Sequence, residues 1–309
     1  MRYALLTTPK SGSQWVRGVI FHPAVLAATD GLSFHAPLQP DMLDEYARLP
    51  ERACSGPYYQ ISAGDWLRAA DASDRAAILY RDPRDILVSW VFAMAYSHED
   101  SAAVRCFREP FNCLNLRHCL MLGIPTQLGT RPTLTWIESE PARHFLLAKY
   151  EDLLERPETG FAAILRFFGW NVPSAILEKA IAENSFEARS GGRARGELNE
   201  QSHYRRGISG DWRTYFDRNL GELYESARPG ELVRAGYETS DRWYEGLPLV
   251  NERLESDDRT APAGVREMRS EIERLQRRNG VLESSYLAQR TLLEEYERLA
   301  RVPGLTERT

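Results

Sequence analysis

Lysine is almost missing from this chain: of 39 basic side chains only Lys10, Lys149 and Lys179 are lysines, so a lysine in a loop stands out. Cysteine is also scarce. Cys54, Cys106, Cys113 and Cys119 form no CxxC pair and their spacings do not match a zinc site, so they read as reduced and mostly buried. The formal net charge of −5 argues against the broad basic surface that nucleic acids or acidic membranes demand, so any anionic ligand must be held by local cations. No apolar run reaches the roughly 18 residues of a membrane span, and the opening MRYALLTTPKSG lacks the parts of a signal peptide. The expected compartment is the cytoplasm.

What the chain does have is 309 residues, 43% of them apolar, enough for one large domain or two small ones. The run RYALLTT from Arg2 to Thr8, stopped by Pro9, reads as a buried strand. A helix is predicted from about Ser13, carrying Trp15, Val16, Val19, Ile20 and Phe21 near helical spacing. The same strand-then-helix pattern returns after Ala76–Tyr80 and after His144–Tyr150. Such recurrence predicts an α/β fold with a mostly parallel central sheet flanked by helices, and ligands on such sheets sit at the carboxyl ends of the strands.

From Thr239 to Ala263 the sequence turns polar and irregular, which divides the chain into a domain over 1–245, a linker over 246–264 and a helix over 265–300. Within that last segment Val265, Met268, Ile272, Leu275, Asn279, Leu282, Tyr286, Leu293 and Tyr296 follow three- and four-residue steps. Two readings stay open. Asn279 at an a-type position suits a dimeric coiled coil, whereas the same stripe would serve an amphipathic helix docked on its own domain.

The segment Pro9-Lys10-Ser11-Gly12-Ser13-Gln14-Trp15 has the parts of an anion cradle: small residues, a helix N-terminus and one ammonium group. It fails the GxxxxGK[ST] pattern of nucleoside triphosphatases, and as a bare heptapeptide it could be an ordinary turn. Yet TTPKSGSQW resembles the 5′-phosphosulfate loop, close to PKSGTTW, of sulfotransferases that use 3′-phosphoadenosine 5′-phosphosulfate (PAPS). ILYRDPRDILVSW resembles that family's 3′-phosphate motif, with Arg81 and Ser89 eight residues apart. YEDLLERPETGFAAILRFFG resembles its next block, and YRRGISGDWRTYF its late RKGxxGDWxxxF element. These four ordered matches span Thr7 to Phe216, about two thirds of the chain.

The resemblance implies the P-loop-like sulfotransferase fold and sulfuryl transfer from PAPS to a hydroxyl, releasing adenosine 3′,5′-bisphosphate (PAP), with no metal. Lys10 would balance the 5′-phosphate and the bridging oxygen, Ser11, Gly12, Ser13 and Gln14 would donate to it, and Trp15 would stack on adenine. Arg81, Ser89, Arg205 and Arg206 would hold the 3′-phosphate, with Gly207 allowing close approach. Tyr150 opens the third block. Ser185 and Phe186 stand at an adenine-contacting FxxM element in which Arg189 replaces methionine, and 190–201 would form a lid. Without the motif, Asp82, Arg84 and Asp85 read as a solvated ion-pair cluster.

The proton acceptor is the least legible part. The family's KTHLP histidine has no counterpart in YYQISAGDW, where Gln60, Ser62 and Asp65 stand instead. His35, 25 residues beyond Lys10, is the expected base because an imidazole titrates near neutrality. Asp30, His22, His98 and Asp65 remain alternatives, and His118, His144 and His203 carry no expectation. Tyr58, Tyr59, Trp66, Phe92, Phe107 and Phe111 in the variable segments favour a small organic acceptor over a highly charged glycan, with a carbohydrate hydroxyl still open. A non-catalytic PAP- or PAPS-binding coiled-coil scaffold and a nucleotide-dependent kinase are the competing functions, and a homodimer through the C-terminal helix is the expected assembly.

Overall fold

A computed structural model describes residues 1–251 apart from 30, 39–40, 102–103, 106–107, 109–114, 127–129 and 140–143. The expected helix over 265–300, most of the linker, Asp30, Cys106, Phe107, Phe111 and Cys113 therefore lie outside the described residues. Cys54 and Cys119, which are described, are buried.

Five strands form one sheet: β1 (Tyr3–Thr7), β2 (Ser33–His35), β3 (Ala53–Tyr59), β4 (Arg75–Tyr80) and β5 (Phe145–Lys149). They lie in the order β2-β3-β1-β4-β5, and every pair is parallel. β1, β4 and β5 fall on the apolar runs that mark them in the sequence. β3 has no such signature, because ACSGPYY carries Gly56 and Pro57 in its middle, where strands seldom tolerate either. The register of β1 against β3 shifts between Ala4 and Leu6, opposite that Gly-Pro step. A Cβ on Gly56 would come within 2.6 Å of the Leu5 carbonyl oxygen, so only glycine lets the two strands close there.

Helices cover both faces. On one, Val16 and Val19 of helix Ser13–Ile20 pack with Phe161, Ile164 and Phe168 of helix Pro157–Phe168. On the other, Tyr46, Trp66 and Trp136 share a core with Leu6 and Ile78. A third cluster joins helix Pro83–Phe92 to Trp212, Tyr215 and Phe216 and to Tyr224 of helix Arg218–Ala227. Helix Pro83–Phe92 starts with Pro83 at its first position, and its N-cap Asp82 accepts the Arg84 N–H at 2.9 Å.

The domain runs past 245: the Arg218 N–H donates to the Pro248 carbonyl at 2.9 Å, and Asn251 Nδ2 donates to the Thr214 carbonyl at 3.0 Å. No helix among the described residues is long and apolar enough to cross a membrane.

The strand order decides where a ligand can sit. From β1 the chain turns toward β2 and β3 on one side, and from β4 it turns toward β5 on the other. The carboxyl ends of the adjacent strands β1 and β4 thus flank the switch point, where a parallel sheet opens a crevice. Lys10 follows β1, and Arg81 follows β4.

Candidate active site

The loop after β1 is folded tightly by its own groups. Ser11 is fully buried, and its hydroxyl donates to the Thr8 carbonyl at 2.6 Å while touching the Thr7 hydroxyl. Lys10 adopts a left-handed φ of 65°, uncommon for a side chain with a Cβ, and Gly12 follows with φ 90°. The Gly12 conformation is needed for a second reason: a Cβ there would sit 2.6 Å from Tyr150 Cε2. The Tyr150 ring, at the end of β5, therefore lies flush against the loop.

Arg81 ties the two strand ends together. Its guanidinium donates to the Lys10 carbonyl at 3.1 Å and to the Ile208 carbonyl at 3.0 Å, and it stacks 4.5 Å from the Tyr150 ring centre. Asp85, one helical turn further on, stands 3.4 Å from Arg81 and accepts the N–H groups of Gly210 and Trp212 at 2.7 and 2.9 Å. That clamp fixes the RRGISGDW segment over the crevice. Within the segment Asp211 binds both Arg205 and Arg206, and Arg205 also donates to the Tyr215 hydroxyl at 3.0 Å above the Phe92 ring.

Asp82, Arg84 and Asp85 do form an ion-pair cluster, but not a solvated one. All three are buried, and the Arg84 guanidinium sits in the corner formed by the perpendicular rings of Trp212 and Trp243, 3.7 and 4.6 Å from their centres, while pairing with Asp82 and Glu238. These contacts anchor the late segment to the β4 motif through packing as well as charge.

Three cations consequently share a small, poorly solvated volume. Burial, then the nearby Arg81 and Arg205, lower the Lys10 ammonium from its ordinary value to about 8. Among the described residues, the buried Nε atoms of Arg81 and Arg205 and the Nε1 of Trp15 have no hydrogen-bond partner. Three cations crowded together with little solvent repel one another, and an anion in the cavity beside them would relieve that repulsion.

The crevice is a cavity of about 1030 Å³. Lys10, Gly12, Ser13, Gln14 and Trp15 line its β1 side; Arg81 and Ser89 line its β4 side. Tyr150, Phe186, Arg205, Arg206 and Gly207 close it. Gly207 has φ 68°, and a Cβ there would drive into the Phe186 ring. Two of the expected nucleotide contacts do not line it: the Ser11 hydroxyl is consumed inside its loop, and Ser185 caps helix Phe186–Ser190 by accepting the Ala188 N–H at 3.2 Å. The segment over 190–201 is laced by Arg193, which donates to the carbonyls of Glu197 and Arg205 at 3.2 Å, and it contributes Arg195 to the cavity wall.

His35 is not brought to the cavity. It ends the edge strand β2, and its ring bonds the Ser33 hydroxyl at 2.9 Å. His22 caps helix Pro23–Ala27 and bonds Glu183 at 2.8 Å, and Asp65 belongs to a capping box with Ser62. The histidines that line the cavity are His98 and His203. His98 is one of the alternatives that the sequence offers, whereas His203, two residues before Arg205, carries no expectation from sequence. The aromatic expectations divide likewise: Tyr59 lines the cavity, while Tyr58, Trp66 and Phe92 are core residues. Trp90, Met94 and Val104 supply the apolar wall instead.

A family model described as the sulfotransferase domain matches residues 70–227, just over half of the chain and inclusive of Arg81, Ser89, Tyr150 and Arg205–Gly207. The chain is 28% identical over 160 residues to sulfotransferase 1 family member D1 of Mus musculus, a match covering 47% of this chain and 50% of that protein. It thus spans half the length of that relative. It is 23% identical over 252 residues to sulfotransferase 2B1 of Rattus norvegicus, covering 72% of this chain and 68% of that one. Among solved structures, mouse sulfotransferase SULT7A1 complexed with PAP aligns with a TM-score of 0.54 at 17% identity, over 76% of this chain and 86% of the other, which shows a shared fold. The matched half of the chain carries the β4 motif and the late segment that Asp85 clamps to it, and on that match the protein belongs to the sulfotransferase family of transferase enzymes.

Proposed function

We propose that the protein transfers a sulfuryl group from PAPS to a hydroxyl of a small organic acceptor. The observation that carries this reading is the Arg81 guanidinium donating to the Lys10 carbonyl, which holds the two motif cations on adjacent strand ends of one cavity. The cluster of charge suits a nucleotide that carries more than one phosphate group. Arg81, Arg205 and Arg206 offer planar donor forks for a 3′-phosphate, with Ser89 beside them, and arginine is well matched to phosphate geometry. On the β1 side Lys10 and the first turn of helix Ser13–Ile20 would take the 5′-phosphosulfate, where amide groups and the helix dipole favour an anion. Trp15 and Phe186 offer ring faces to the adenine.

The mutual repulsion of Lys10, Arg81 and Arg205 fits that nucleotide, because bound phosphates would offset it. As the S–O bond to the phosphate breaks, charge develops on the bridging oxygen, and the Lys10 ammonium stands ready to balance it. Such preorganised charge supplies much of the rate in group transfer of this kind. Trp90, Met94 and Val104 give the acceptor end an apolar wall, which favours an aromatic or alicyclic alcohol over a polyanionic glycan.

The test is transfer of label from PAPS by the purified protein. Lys10→Ala is expected to lower kcat about 10²–10³-fold, and PAP, but not ATP with magnesium, is expected to raise the melting temperature. Undiminished turnover in Lys10→Ala, or stabilisation by ATP instead of PAP, would overturn the reading.

A further inference from the structure

The transfer reaction releases a proton from the acceptor, and the cavity contains a pair of groups suited to take it. The His98 and His203 rings lie 6.5 Å apart, centre to centre, in an edge-to-face arrangement. Both line the cavity that holds Lys10, and both feel the Lys10 ammonium. They come from segments 105 positions apart in sequence, one after helix Pro83–Phe92, the other just before the Arg205–Arg206 pair.

The two rings are held differently. The π-helical turn Ala93–Ser97 sets the His98 backbone: its N–H donates to the Ala93 carbonyl at 2.9 Å, and Arg108 donates to its carbonyl at 2.6 Å and to that of Met94 at 3.2 Å. A single π turn in a helix is often a device for aiming a side chain at a site. His98 is half-buried, whereas His203 is the more exposed of the two and meets the Tyr204 ring edge-to-face at 5.3 Å. Glu99, the carboxylate next to His98 on the wall, is exposed.

We propose that His98 is the catalytic base of this protein and that His203 is the positioning residue that keeps its ring turned into the cavity. The proposal rests on the sulfuryl-transfer reading. In the step, a lone pair of the acceptor hydroxyl forms the new O–S bond, and the S–O bond to the 5′-phosphate breaks with its electron pair left on that phosphate. The hydroxyl proton passes to the free nitrogen of the His98 imidazole. The products are a sulfate ester, PAP and a protonated His98, which returns its proton to solvent.

The surroundings favour this role. Burial, then Lys10, then Arg108 lower His98 below the ordinary histidine value, and burial, Lys10 and His98 lower His203 to about 4. Both imidazoles are therefore neutral at pH 7 and able to accept a proton. The other charged groups near the pair are Arg205 on the cavity wall, Glu99, and Asp100, which is paired with Arg108. A bound nucleotide places several negative charges beside Lys10, offsets its field and raises the basicity of His98 when a proton must be taken. The acid limb of kcat/KM reports the free protein and that of kcat the loaded one. The limb of kcat is thus expected at the higher pH.

The test uses the full chain with PAPS and 2-naphthol, an aromatic hydroxyl protonated at neutral pH. His98→Ala is expected to lower kcat about 10²–10⁴-fold, with an unchanged KM for PAPS, loss of the acid limb and partial rescue by added imidazole. His203→Ala is expected to cost about tenfold or less in kcat and to keep the acid limb. Turnover within a few-fold of wild type in His98→Ala, or the large loss falling on His203→Ala instead, would overturn the assignment. A second readout needs no acceptor: ring NMR titration of His98 should show its apparent pKa rising when PAP binds, and an unmoved titration would overturn it. An inert wild-type protein would instead defeat the transfer reading, while the PAP titration still decides whether His98 senses the nucleotide.

Discussion

Lys10 is the residue on which most depends. Its ammonium is lowered to about 8 by burial and by the two guanidinium groups beside it, so the empty protein begins to lose this charge just above neutrality. A bound phosphosulfate favours the charged form and raises the value again. The sign follows: below about pH 8 the ammonium is already present and Lys10 adds no pH dependence to PAP affinity; above it, binding must take up a proton. Affinity is expected to fall by up to about tenfold per pH unit there, and calorimetry in two buffers at pH 9 should register the uptake. Unchanged affinity from pH 7 to 9.5 would contradict it. The loop was legible because a lysine and a glycine follow an apolar strand in a chain with almost no other lysine. The His98–His203 pairing was not legible, because tertiary structure makes it and nothing in HED or SHY reports it.

At the scale of elements, the site is a set of loops pressed together by tight contacts and buried ion pairs. Gly12→Ala would force a Cβ into a left-handed backbone and against Tyr150, a strain of about 1–3 kcal/mol. It is expected to lower the melting temperature and weaken PAP binding together, as thermal shift with and without PAP would show. Asp211→Ala would strip the shared carboxylate from Arg205 and Arg206, both of which the late segment needs. Removing one partner of a buried pair costs about 3–5 kcal/mol. The melting temperature should drop by several degrees, and PAP should restore part of the loss by supplying a new anion to the same guanidinium groups.

The elements themselves were unevenly readable. β1, β4 and β5 are uninterrupted apolar runs, while β3 hides behind Gly56 and Pro57 and β2 is three residues long. Aromatic identity did not reveal facing either: Trp90 lines the cavity, yet Phe92, two positions on in the same helix, turns into the core beneath Arg205.

At the scale of the molecule, an acidic protein concentrates several of its arginines and one lysine around one switch point. The formal charge of −5 therefore says what the surface is not, while the strand order β2-β3-β1-β4-β5 says where the exception must be. That order was legible only as a class, a parallel sheet with helices, because sequence periodicity carries no information on which strands are neighbours. The most direct measurement is a crystal structure with PAP bound. The 3′-phosphate is expected on Arg81, Ser89 and Arg205, and the 5′-phosphate at Lys10. A nucleotide seated elsewhere, or one whose phosphates leave Lys10 and Arg81 untouched, would contradict it.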